Sequence, residues 1–157
     1  MSRPRRSEHA RVLAQLRYDC YEEFLEAYVR ANDALRTICV SRQATPAGVA
    51  EAMRDCGLYL ARERLLATGS PAVVLAGETA FRSVLDMRDA VISGHTLDWP
   101  DFRPAHDGIA KEAWTLRHAA RSALGGAPLD LDQIQAIQPA GIAERLRRPS
   151  NQPRTGA

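Results

Sequence analysis

The chain has 157 residues, which is one domain by length and hardly two. Apolar residues make up 45% and charged residues 25%, as in an ordinary soluble globular protein, and the formal net charge is only +2. That balance excludes a strongly basic nucleic-acid coat protein and an acidic disordered chain. Of the 21 basic residues all but Lys111 are arginine, a ratio that points to a GC-rich genome rather than to a physical need.

The near-neutral total conceals an asymmetry. Arg3, Arg5 and Arg6 lie in residues 1–6, and Arg145, Arg147, Arg148 and Arg154 lie in 145–157, with no acid in either stretch. The body, 7–144, holds 14 basic and 19 acidic residues, a net of −5. Residues 1–6 therefore read as a disordered basic arm, 7–147 as the helical domain and 148–157 as a disordered tail.

Ser7 is the expected N-cap of the first helix, with Glu8 well placed in its first turn. From there a helical pattern runs to about Val40 without Gly or Pro. Leu13, Leu16, Cys20, Phe24, Tyr28, Ala31, Leu35 and Ile38 recur at steps of three and four, one continuous apolar stripe. Opposite that stripe, Glu26 and Arg30 stand four apart in the favourable order. The chain is expected to turn near Arg42.

Thr45-Pro46 signals a second helix, a capping residue followed by Pro at the first helical position. Val49, Met53, Cys56, Leu60 and Leu66 line it, Gly57 is a mild weak point, and Thr68-Gly69 ends it. Ser70-Pro71 repeats the start signal for a third helix. Val73, Val74, Gly77, Phe81, Val84, Met87 and Val91 form its stripe, and Glu78, Arg82 and Asp86 form a four-spaced charge ladder. Gly94 is the expected closing residue. Residues 95–103 have no helical pattern. Pro104 then sits early in a fourth helix, with Ile109, Ala113, Leu116, Ala120 and Leu124 as its stripe and Gly125-Gly126 as its end. A short C-terminal helical segment is expected between Asp132 and Arg147.

No strand pattern of any length is present. Short connections between amphipathic helices predict an all-α fold, an antiparallel four-helix bundle with a long first helix. The first helix, roughly 51 Å long at 1.5 Å per residue, exceeds the others and overhangs them by about twelve residues. Val12, Leu13 and Leu16 on that overhang require cover. Residues 128–146 are expected to supply it, or else a second chain in a dimer.

Motifs for chemistry are sparse. Cys20, Cys39 and Cys56 form no CxxC pair, and their count is odd. In a hairpin turning near Arg42, Cys39 and Cys56 are offset by roughly 15 Å along the axis, beyond the roughly 7 Å a disulfide spans. They read as small core residues. Asp19, Glu22, Glu23 and Glu26 cluster within two turns, as the glutamates of a di-iron bundle would. No Glu-x-x-His accompanies them, so they read as a solvated acidic face. His9, His95, His106 and His118 offer no pair three or four apart for a helical metal site. No metal and no cofactor are expected. Phosphate-loop, zinc-protease and serine-hydrolase motifs are all missing.

Two features stand out as candidate sites. His95, Trp99, Phe102 and His106 gather aromatic and titratable groups at one end of the bundle, either as a plug for the core or as a binding loop. Arg3, Arg5, Arg6, Arg145, Arg147 and Arg148 form arms suited to salt-dependent phosphate contacts, but no aromatic residues interleave with them.

Three stretches carry a resemblance. They are RVLAQLRYDCYEEFLEAY at 11–28, ARERLLATGSPAVVLAG at 61–77, and the run ending AARSALG at Gly125. Together they resemble a loose group of small helical-bundle proteins of GC-rich actinobacteria. The resemblance implies a fold and no particular activity. The longest uncharged stretch, 65–77, is too short to span a membrane. The basic N-terminus lacks the apolar run of a secretory signal. A cytoplasmic location is therefore expected. The expected role is a non-enzymatic helical interaction or regulatory module, with a protein partner or a homodimer. Nucleic-acid association through the arms, and a small-ligand or enzyme site at the 95–106 end, are the alternatives.

Overall fold

The computed structural model describes residues 4–95 and 102–127, with side chains for 8–95 and 108–127. Among the described residues the chain is all-helical: α1 (Pro4–Ser41), α2 (Pro46–Asp55), α3 (Leu58–Thr68), α4 (Pro71–Ile92) and α5 (Phe102–Ala123). The C-terminal segment expected from 128 onward lies outside them, as does its expected packing on the overhang.

The start and stop signals act through identifiable bonds. Thr45 Oγ1 accepts from the Gly48 amide at 3.1 Å and caps α2, with Pro46 in its first turn. Ser70 opens α4 differently. Its side chain makes no cap bond, and its amide donates instead to the Tyr21 hydroxyl at 3.0 Å. At the far end of α4 the Gly94 amide bonds the Val91 carbonyl and the His95 amide bonds that of Ala90. The same pair of bonds closes α5, from Gly125 to Ser122 and from Gly126 to Arg121. Both ends are Schellman closures, which satisfy carbonyls the helix leaves unpaired.

Two boundaries differ from the sequence expectation. The helix expected over 46–68 is two helices. Gly57 sits at φ +71 between α2 and α3, a left-handed conformation that glycine adopts without Cβ strain. Its amide bonds the Arg54 carbonyl at 3.1 Å, so the break is a closed turn rather than a fray. The first helix begins at Pro4 rather than at Ser7, so Arg5 and Arg6 stand in its first turn instead of in a disordered arm. Proline suits that position because its missing N–H has no helical partner there.

The core collects one stripe from each helix. Phe24, Tyr28, Leu35, Met53, Leu58, Leu65, Met87 and Leu116 are fully buried, and among the described residues no polar or charged one is buried. Tyr28 brings its one polar atom into this core with partners. Its hydroxyl donates to the Ile109 carbonyl at 2.9 Å and lies 3.1 Å from Ser83 Oγ, so a single α1 side chain ties α4 and α5. Burial pushes its pKa up to about 12.

Residue pairs define the relative register. Along α1 and α3, Arg17 meets Thr68 and Glu23 meets Arg64, and Arg30 reaches the Cys56 carbonyl just before α3. Along α3 and α4, Arg62 forks onto both Glu78 oxygens at 2.6 and 2.9 Å, and Tyr59 packs edge-on against Phe81. Arg62 also lies 4.8 Å above the Phe81 ring. The Glu78–Arg82–Asp86 ladder read from spacing is not a ladder: Glu78 turns to α3, and Arg82 and Asp86 make no ion pair among the described residues.

Close approach around α4 rests on Gly77. A Cβ at that position would run into Leu65 Cδ2 and reach 3.9 Å from Phe24. Both neighbours are buried, so three helices meet where one residue has no side chain. The N-terminal part of α1 makes the opposite arrangement. Side chains 8–16 are all exposed, and burial begins at Cys20. Pro4 to Leu16, roughly 20 Å of helix, thus runs beyond the first contact with the α3–α4 turn at Arg17.

Candidate functional site

The 95–106 corner is only partly described. His95 follows the closure of α4, half-buried, and its carbonyl accepts from Cys39 Sγ at 3.3 Å. It lines a small cavity of about 250 Å³ with Ile38, Cys39, Arg42, Ala44, Val91 and Gly94. Trp99 lies outside the described residues. Phe102 and His106 lie in the first turns of α5, outside the described side chains. Among the described residues His95 meets α1 and α4.

The arms divide similarly. Arg5 and Arg6 are placed on the first turn of α1 by backbone alone. Arg3, Arg145, Arg147 and Arg148 lie outside the described residues.

The acidic cluster dissolves into separate contacts. Gln15 donates to Asp19 at 2.7 Å, Arg64 bonds Glu23, and Arg30 reaches Glu26 at 3.5 Å. Among the described residues no group of three or more His, Cys, Asp or Glu is placed to hold a metal ion. The three cysteines are reduced and buried. Cys56 Sγ donates to the Met53 carbonyl at 3.0 Å, inside its own turn. No described helix is long and apolar enough to cross a membrane.

Among the described residues another concave surface lies between α1 and α5. It is a groove of about 860 Å³, within the range of protein binding sites. Its apolar lining is Tyr18, Tyr21, Leu25 and Val29 from α1, Ala120 from α5 and Leu124 just after it. Tyr18 is 48%, Val29 42% and Leu124 37% exposed. These stand together, unlike Leu75, Val40 and Leu60, whose single exposures are ordinary for a protein surface. A smaller cleft of about 220 Å³ shares Val29 and Arg117 with the groove. It also holds Asn32, whose Oδ1 is buried without a hydrogen-bond partner.

Charge is distributed by wall. Glu22, Glu26 and Arg30 come from α1, and Arg117 and Arg121 from α5. Arg30 is occupied on its own side, by Glu26 and by the Cys56 carbonyl at 3.4 Å. The Arg117 guanidinium lies 5.4 Å above the Trp114 ring. Arg121 Nε donates to the Ala127 carbonyl at 2.7 Å. Among the described residues no ion pair crosses the groove.

Sequence reasoning did not find this groove, although a trace of it was there. Tyr18, Leu25 and Val29 recur at steps of seven and four beside the main α1 stripe. That second stripe marks a face wider than one neighbouring helix covers. No family model matches this chain, and no match was found among curated proteins or solved structures.

Proposed function

We propose that the protein is a non-enzymatic helical interaction module whose α1–α5 face receives a protein partner. The carrying observation is the groove of about 860 Å³ with clustered apolar side chains exposed along it. Aromatic and arginine side chains together mark surfaces that bind proteins, and Tyr18, Tyr21, Arg117 and Arg121 are of those types. The groove's lining residues include no histidine, cysteine, serine, threonine or lysine.

The scaffold is best read as an antiparallel four-helix bundle of α1, α3, α4 and α5, with α2 as a short leading turn of the second arm. The pairs 17–68 and 23–64 run in opposite senses along α1 and α3, and Tyr59–Phe81 with Arg62–Glu78 continues that alternation into α4. Tyr28–Ile109 adds α5 beside α1. The resemblance to small helical proteins of actinobacteria supports the same scaffold and adds no activity.

A photo-crosslinking side chain at Val29 or at Leu124, introduced in cells, tests the reading. The expected result is one discrete protein adduct from each, and none from the same group at Leu75 on α4. Adducts at all three positions, or at none, overturn it. No described geometry favours nucleic-acid association through the arms or a ligand site at the 95–106 corner.

A further inference from the structure

We propose that the partner is a second copy of this chain, docked about a two-fold axis through the α1–α5 groove, so that Arg117 and Arg121 of each copy meet Glu22 and Glu26 of the other. This rests on reading the groove as a protein-binding face, and it names the occupant. The argument is one of charge and symmetry.

A closed two-fold interface uses the same patch twice, so the patch must complement itself. The groove does. Its α1 wall offers Glu22 and Glu26, and its α5 wall offers Arg117 and Arg121. A two-fold axis lying in the plane of contact, parallel to the groove, exchanges the walls and lays α1 of one copy over α5 of the other. Each acidic wall then faces a basic one at both ends of the contact. A foreign segment of a single charge sign would be attracted by one wall and repelled by the other.

Most of these charges are also available, Glu26 being reached by Arg30 of its own wall at 3.5 Å. Glu22 makes no ion pair or hydrogen bond among the described residues. Arg117 is steadied by Trp114 and Arg121 by the Ala127 carbonyl, and neither has a carboxylate partner. Opposite charges that line one groove without pairing across it are placed to pair with something inserted between them. Tyr18, Val29 and Leu124 supply the apolar centre that such a seam needs.

Charge swaps on the full chain test this. Sedimentation equilibrium should give twice the 17.3 kDa chain mass for the wild type. The double variants Glu22→Arg with Glu26→Arg, and Arg117→Glu with Arg121→Glu, should each be monomeric, because the first leaves no acid on either wall and the second sets acids opposite Glu22 and Glu26. Mixed one to one, they should dimerise again, since the positive walls of one variant meet the negative walls of the other. Circular dichroism checks that both fold. If either does not, Val29→Arg, at an exposed position, should dissociate the dimer in its place.

A monomeric wild type, a dimer indifferent to the swaps, or no recovery on mixing overturns self-association. In that event a discrete adduct with a different protein at position 29 leaves the interaction reading standing. The lack of any adduct there removes both. A long-chain acid that binds the groove of a monomer also overturns the proposal.

Discussion

Helix α1 has two flanks, and they are built on different terms. Toward α3 and α4 it buries Phe24, Ala27 and Ala31 against small or fitted neighbours, and Gly77 lets the helices close up. The adjoining α3–α4 seam carries the Arg62–Glu78 fork and the Tyr59–Phe81 edge contact. Toward α5, beyond Tyr28, the same helix presents Tyr18, Leu25 and Val29 to an open groove, and the charges there do not pair across it. Close packing with satisfied polar groups is what a finished seam looks like. An apolar seam left open beside charges that do not pair across it is, on our proposal, a surface for a partner. One helix thus has a closed flank that carries stability and an open flank to which we assign recognition.

The largest expected break in that contrast is Phe24→Ala. It removes a fully buried ring from the closed flank and should destabilise the protein by about 3–5 kcal/mol in denaturant titration. A change of less than about 1 kcal/mol would mean that the closed flank is not closed. Next is Gly77→Ala, where a single methyl must displace Leu65 within the core. We expect a loss of about 1–3 kcal/mol, against the usual gain from replacing a helical glycine.

Tyr28→Phe follows, at about 1–2 kcal/mol, because the Ile109 carbonyl loses its buried donor. The same residue gives a pH signature. In the unfolded chain its hydroxyl ionises near 10.0, and in the folded protein near 12. Its contribution is therefore complete below pH 10 and is lost as the pH rises through that window. Wild-type stability should fall across it more steeply than that of the Tyr28→Phe variant, and equal slopes would contradict the buried geometry. The smallest effect belongs to the open flank. Val29→Ser should stay within about 0.5 kcal/mol of wild type while weakening association. A large stability loss there would show that the groove is core after all.

The fold was largely legible because its signals are local. Thr45-Pro46, Ser70-Pro71, Gly94 and Gly125-Gly126 each bound a helix where the sequence places them. The exceptions are instructive. Gly57 reads as a weak point because helix propensity counts it as one unfavourable residue. Its left-handed conformation, with a closing bond to Arg54, makes it a boundary. Arg42 turns the chain in the same left-handed region without being glycine, and only the backbone reveals it. The acidic cluster on α1 was visible, but its dispersal was not, because Arg64 is distant in sequence.

By itself, then, the sequence determined the helical class, the order and ends of most helices, and the long first helix. Periodicity and capping act within a few residues, so they can be read along the chain. Tertiary structure decided which flank of α1 is closed and which is open. That choice depends on Gly77 meeting Leu65 and Phe24, and on Glu78 finding Arg62. It also left Arg117 and Arg121 facing Glu22 and Glu26 across a gap. Such relations join residues up to about a hundred positions apart, where no local pattern holds the information and only packing does.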